Sequence, residues 1–307
     1  MLNKIINQFL GYFDVMMIRK ATLRSLTVDE ALEHSQHEQQ ALAFKEMNVV
    51  IDDNHKQLLR HQLSVKWDLL DQLDRQRIVD IELKCPICEH SQDRVNFNTF
   101  VSQCIFEGGT LVRHQCPECE LIFGAEKMLR LSEAELAKDY EWHYRVFSEG
   151  DSTAQELRAF YALHPEKDRI YLNWGSGAWS NTLSVLREEG WNVYGYEPHS
   201  SAMSNSPYII SSIEQLKAMS FDGIFSNNVL EHLRYPVREL LLMRELLNSN
   251  GKMSHATPCF EYLYEFTRFH LFFYLGRSRT LLTTKAKLSI IDFVVDGDFM
   301  NMILIKG

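Results

Sequence analysis

The sequence predicts an α/β protein: a doubly wound sheet in the C-terminal half, preceded by a small cysteine-held module and an N-terminal helical arm. Three observations carry this expectation. Helix breakers are almost missing from the first 84 residues, where Gly11 is the only glycine and no proline occurs before Pro86. Five of the six cysteines then fall between Cys85 and Phe123. Beyond about Lys167, short apolar strands alternate with helix-compatible runs, the order that builds a parallel sheet with helices on both faces. The implied divisions are an arm at 1–84, a module at 85–125, a helical linker or lid at 126–167 and the sheet domain at 168–307.

In the arm, Leu2, Ile5, Ile6, Phe9, Leu10, Phe13, Met16 and Met17 recur at helical spacing and are followed by Arg19, Lys20 and Arg24. Such a helix over residues 1–24 suits peripheral contact with an anionic membrane face, or docking on the protein's own core or a partner chain. Lys4 and Asp14 interrupt it before it reaches the length of a membrane span, and no cleavage signal follows, so the expected location is cytoplasmic. Thr27-Val28-Asp29-Glu30 has the form of a capping box opening a second helix. Leu59, Leu63, Trp67 and Leu70 then share one face, a stripe compatible with a coiled coil and a homo-oligomer.

Cys85 and Cys88 form one Cys-x2-Cys pair and Cys116 and Cys119 another, 27 residues further on. Four thiolates so spaced satisfy tetrahedral zinc and leave no open position for a catalytic water, which makes the expected Zn2+ structural. Its role is to hold a module too small to fold on its own apolar core. His90, His114 and Cys104 lie near enough in sequence to be substitute ligands. From Ala125 to about Lys167 the chain reads as helix again, with Ser132-Glu133-Ala134-Glu135 as a cap signal.

The sheet domain opens on a strand from Arg169 to Trp174, a turn from Gly175 to Gly177, a helix from Trp179 to Glu189, Gly190 as its cap, and a strand ending at Glu197. Glycines at 175 and 177 let a ligand approach the backbone and the helix N-terminus. Glu197, 20 residues after Gly177, is placed to hold both hydroxyls of a ribose. This geometry serves a dinucleotide and an adenosyl cofactor equally. A strand from Phe221 to Phe225 follows, then Ser226-Asn227-Asn228 and Leu230-Glu231-His232, a helix opening at Pro236, and Gly251 as its expected cap.

This last segment strongly resembles class I S-adenosylmethionine-dependent methyltransferases, over about residues 168 to 307. The CPxC…CPxC module looks like an arrangement found in that superfamily, and the nearest likeness is to bacterial enzymes of surface-polysaccharide and sugar-nucleotide biosynthesis. The resemblance implies a Rossmann-like methyltransferase sheet with S-adenosylmethionine as cofactor. It implies that Gly175 and Gly177 contact the methionine portion, Glu197 the ribose, and that Asn228 lies near the sulfonium. Two positions depart from the pattern: Asn173 replaces the usual acid two residues before the first glycine, and Trp179 replaces the third glycine. His232 is the candidate general base, because imidazole titrates near neutrality. Glu231 stands beside it as a further candidate, or as its companion in holding a divalent metal.

The expected acceptor is a sugar or glycan precursor methylated on oxygen or nitrogen. A net charge of -9 argues against a nucleic-acid partner. The competing readings are a scaffold whose cofactor site has decayed and a zinc-ribbon RNA methyltransferase. Tyr140, Trp142, His143 and Tyr144 are expected as a lid or as interdomain packing. The eight aromatics between Phe260 and Tyr274 are expected as a buried helix core or as an acceptor-binding insertion.

Overall fold

The computed structural model describes residues 28–76, 82–148, 150–177, 181–198 and 206–307. The chain falls into two units, one ending at Leu58 and one running from Leu59 to Gly307. The amphipathic stretch at 1–24, Thr27 and Trp179 lie outside the described residues. No helix among the described residues is long and apolar enough to cross a membrane.

A single helix, α1, runs from Val28 to Gln76. In the first unit Met47, Val49, Val50 and Ile51 are exposed on it, and Lys56 pairs with Asp52 one turn away at 2.8 Å. In the second unit the stripe foreseen in the sequence is buried at Leu63 and Trp67 and half-buried at Leu59 and Leu70. Trp67 joins the main core and Leu70 packs against it, so this face is spent within the chain.

Around the first cysteine pair, β1 (Glu82–Lys84) pairs antiparallel to β2 (Ser91–Asp93). β3 (Asn98–Gln103), β4 (Thr110–Gln115) and β5 (Ile122–Gly124) form an antiparallel sheet. Three helices follow, α2 (Glu126–Leu129), α3 (Glu133–Val146) and α4 (Thr153–Tyr161). The cap signal read in the sequence opens α3: Ser132 Oγ accepts from Glu135 N at 3.2 Å, and a Glu135 carboxylate oxygen accepts from Ser132 N at 2.7 Å.

The large sheet is built from β6 (Ile170–Trp174), α5 (Thr182–Glu188), β7 (Asn192–Tyr196), β8 (Ile209–Ile210), α6 (Ile213–Lys217), β9 (Phe221–Asn227), α7 (Pro236–Leu246) and β10 (Leu247–Ala256). After the short β11 (Phe272–Phe273) and α8 (Ser278–Lys285), the hairpin β12 (Leu288–Asp296) and β13 (Phe299–Lys306) closes the domain. Strand order is β12-β13-β10-β9-β6-β7-β8, parallel from β10 to β8, with β13 antiparallel to both neighbours. The order reverses beside β6, so a ligand crevice is expected where β6 and β9 end.

Two expectations are corrected. Gly251 does not cap α7; the helix ends at Leu246 and Gly251 lies inside β10 at a register shift. A Cβ there would stand 2.7 Å from Leu247 and 3.0 Å from the Asp222 carbonyl, so the glycine serves a close backbone approach. The aromatic segment is not a helix. Apart from one 3-10 turn at Pro258–Phe260 it is irregular until β11, which adds to the module's sheet beside β5.

Candidate active site and cysteine cluster

The four sulfurs foreseen as ligands converge. Cys85 Sγ lies 3.6 Å from Cys119 Sγ, Cys88 Sγ lies 3.4 Å from Cys116 Sγ, and all four are within 4.8 Å of one another. Sulfurs held at ~2.3 Å around a tetrahedral ion stand ~3.8 Å apart, so the cluster fits zinc. The two knuckles repeat one backbone device: Glu89 N donates to Cys85 O at 3.1 Å and Glu120 N to Cys116 O at 2.9 Å, with both glutamates at positive φ. Two of the three substitute ligands are engaged elsewhere, and His90 is not part of the cluster. His114 contacts Thr99, Arg94 and Glu126, and Cys104 lies 4.0 Å from Arg268.

At the end of β6, Gly175 and Gly177 both adopt positive φ, +70° and +60°. A Cβ on Gly175 would come within 2.8 Å of Val229, so the turn and the chain leaving β9 are in contact. Between the glycines Ser176 Oγ is buried without a partner, and Gly177 N donates to Glu197 at 3.2 Å. Glu197 follows the last residue of β7, as the ribose-binding role requires. Asn228 stands exposed just past β9 at φ +54°, its N donating to Ala256 O at 2.9 Å; asparagine tolerates this left-handed conformation better than most residues. Asn173 is buried in β6 and bonds Glu156 of α4 at 2.7 Å. A glycine turn, an orphaned hydroxyl and a flanking carboxylate fit an adenosyl cofactor.

Leu230-Glu231-His232 forms a 3-10 turn above this crevice. Glu231 is fully buried; its Oε1 accepts from Thr257 Oγ1 at 2.7 Å and its Oε2 has no partner. Burial pushes its pKa up to about 7. His232 is half-buried, its Nδ1 lies 2.9 Å from the Tyr140 hydroxyl, and desolvation pushes its pKa down to about 4. This corrects the premise that His232 titrates near neutrality: its imidazole is neutral at pH 7, and Glu231 is the group that titrates there.

His270 belongs to the aromatic segment expected as a buried helix core or an acceptor-binding insertion. Its ring stands 5.0 Å from that of His232, its Nδ1 lies 3.4 Å from Cys259 Sγ, and it offers a ligand atom within 4.8 Å of Glu231 and His232. Arg113, buried on β4, fixes the loop that carries it by donating to the carbonyls of Glu265, Thr267 and His270. No local signal links Arg113 with a loop more than 150 residues away. Of the expected lid, Tyr140 stacks on Phe269 at 4.2 Å and His143 packs edge-on to it at 4.9 Å. Trp142 instead lies with His61, Val65, Lys66 and Leu69 of α1.

Residues 143–283, just under half of the chain, match a family model described as a methyltransferase domain. The match begins within α3 and ends before the closing hairpin. The matched segment carries most of the doubly wound sheet described above, so the part of the chain that resembles a methyltransferase domain is the part that holds the β6–β9 switch. Among solved structures, the chain is similar to CalO1, a methyltransferase of calicheamicin biosynthesis in its S-adenosylhomocysteine-bound form (14% identity, 57% of this chain and 59% of that one, TM-score 0.39). It is also similar to the 1,6-didemethyltoxoflavin N1-methyltransferase of Burkholderia thailandensis (16% identity, 64% and 95%, TM-score 0.43) and the CcbJ methyltransferase of Streptomyces caelestis (13%, 53% and 94%, 0.40). The chain thus spans about 59% of the length of the calicheamicin protein. No curated protein matches its sequence.

Proposed function

We propose that this protein methylates an oxygen or nitrogen of a sugar or glycan precursor, using S-adenosylmethionine. The observation that carries the cofactor is the crevice at the β6–β9 switch, where the Gly175–Gly177 turn meets Glu197 on one side and Val229, next to Asn228, on the other. The sulfonium supplies an electrophilic methyl group when bound. The protein's task is then to align the acceptor, exclude water and take up a proton.

His232, neutral at pH 7 and a weak base with its pKa lowered to about 4, would take the acceptor's proton as the methyl group transfers, with the Tyr140 hydroxyl 2.9 Å from its Nδ1. Glu231 braces the turn through Thr257 and, titrating near 7, is placed to hold a proton beside His232. Tyr140 and His270 stand with their rings 6.3 and 5.0 Å from that of His232, and Phe269 is buried behind Tyr140, an aromatic wall suited to the apolar face of a sugar. The four cysteines would hold structural Zn2+, stabilising the sheet on which Arg113 fixes the His270 loop. The acidic net charge supports a small acceptor over RNA.

Titration calorimetry with S-adenosylhomocysteine tests the cofactor, and transfer of a labelled methyl group to a panel of sugar nucleotides, with bulk RNA in parallel, tests the acceptor. Binding and label in the sugar fraction are expected, with kcat lowered 10^2- to 10^4-fold by His232→Gln, as for loss of a general base. Absence of binding at millimolar ligand would favour the scaffold reading, and label confined to RNA would overturn the acceptor class.

A further inference from the structure

Two segments far apart in the chain bring two imidazoles together. His232 belongs to the turn after β9 and His270 to the loop before β11, and their rings meet edge-on at 88° with centroids 5.0 Å apart. With Glu231 they each offer one ligand atom, and the three atoms lie within 4.8 Å of one another. Both imidazoles keep part of their surface open, whereas Glu231 is fully buried.

Each ring is held through the same nitrogen. The Tyr140 hydroxyl lies 2.9 Å from Nδ1 of His232, and Cys259 Sγ lies 3.4 Å from Nδ1 of His270. Arg113 anchors the main chain of His270 by donating to its carbonyl at 3.3 and 3.2 Å. With Nδ1 engaged on both rings, Nε2 is the nitrogen each has left for a ligand. Burial pushes both pKa values down, so both rings are neutral at pH 7, each with one N–H and one bare nitrogen.

The spacing suits a single oxygen atom. An oxygen ~2.8 Å from each of two nitrogens that stand 4.8 Å apart sees them ~120° apart, near the spread of a hydroxyl's own bonding directions. A hydroxyl there gives its proton to one ring, accepts the N–H of the other, and keeps a second lone pair. An amine has one lone pair, which must attack the methyl group, so an N–H aimed at it either occupies that lone pair or stays unpaired.

We infer that His270 is a second catalytic residue, donating a hydrogen bond to the acceptor oxygen, and that the pair His232–His270 selects hydroxyl over amine acceptors. The inference rests on the sugar-methylating reading above and narrows its acceptor atom to oxygen. One lone pair of the hydroxyl accepts from His270 Nε2–H, and the other forms the new O–C bond with the methyl group of S-adenosylmethionine. The C–S bond breaks with its electron pair left on sulfur, and the hydroxyl proton passes to His232. The products are a methyl ether, S-adenosylhomocysteine and a protonated imidazole, which returns its proton to solvent.

The test offers the full chain matched pairs of nucleotide sugars that differ only in a hydroxyl or an amino group at one carbon, with methyl-labelled S-adenosylmethionine. Label is expected in hydroxyl members, with their amino partners about 10- to 100-fold slower, the cost of one N–H left unpaired. His270→Phe keeps a ring and removes the donor, and should lower kcat on the hydroxyl acceptor by a similar ~10- to 100-fold. His270→Gln restores an N–H and should recover most of that loss. Calorimetry with S-adenosylhomocysteine should change less than about threefold in both variants, as neither contact belongs to the cofactor. Amino sugars methylated as fast as their partners overturn the selection. A Phe variant as active as the unaltered protein, a Gln variant as impaired as the Phe one, or a parallel loss of S-adenosylhomocysteine affinity overturns the role of His270. Label in no sugar, with S-adenosylhomocysteine still bound, overturns the sugar reading itself.

Discussion

Glu231→Gln isolates the cost of the buried carboxyl at the centre of the site. Glu231 is fully buried, one oxygen accepts from Thr257 and the other has no partner. Burial therefore raises its pKa from 4.5 to about 7. The folded protein keeps a proton there that the unfolded chain has already released, so Glu231's contribution is fully present below pH 4.5 and is lost as pH rises through 7. At ~1.4 kcal/mol per tenfold, the loss approaches ~3 kcal/mol once the group is fully ionised. Glutamine keeps the acceptor for Thr257 and cannot ionise. The assay is urea denaturation of both proteins at pH 5 and pH 9. The variant should gain ~3 kcal/mol relative to the unaltered protein on going from pH 5 to pH 9. His143, His232 and His255, pushed by burial down to about 4, 4 and 3, give the opposite slope below pH 6.5, but they are common to both proteins and cancel. If the two stabilities stay parallel within ~1 kcal/mol, Glu231 titrates normally and the reasoning about the turn fails.

Two further outcomes follow from the module and its contact with the site. Elemental analysis should find about one zinc per chain, lost in Cys116→Ser, and a strong chelator should lower the melting temperature of the unaltered protein; a metal-free yet equally stable chain would refute the structural role. Arg268, fully buried, donates to Asp139 at 2.7 Å and to Phe106 O at 2.8 Å, so Arg268→Met should cost ~3 kcal/mol by denaturation, with Lys66 still holding Asp139. A cost under ~1 kcal/mol would show that the pair adds little beyond its packing.

The parts legible in sequence were those encoded locally. Both Cys-x2-Cys knuckles, the Ser132 capping box, Pro236 at the start of α7 and the order strand, glycine turn, helix, strand depend on residues within a few positions of one another. The site's working partners were not legible. Tyr140 meets His232 across 92 residues, Arg113 holds the His270 loop across about 155, and Asn173 acquires its carboxylate from a different helix. The aromatic segment misled because its density of apolar rings fits a helix and an irregular buried loop alike. Arg113 decides between them by satisfying the carbonyls that a helix would have bonded internally.

The sequence by itself therefore determined the doubly wound class, the four-cysteine module and the place of the glycine turn, because periodicity, turn chemistry and ligand spacing act over short stretches of chain. Only the tertiary structure decided the protonation of the site. It buried Glu231, half-buried His232, and by desolvation moved their pKa values to about 7 and about 4, reversing which of them titrates near neutrality. Desolvation depends on everything packed around a group, and no local pattern of residues encodes it.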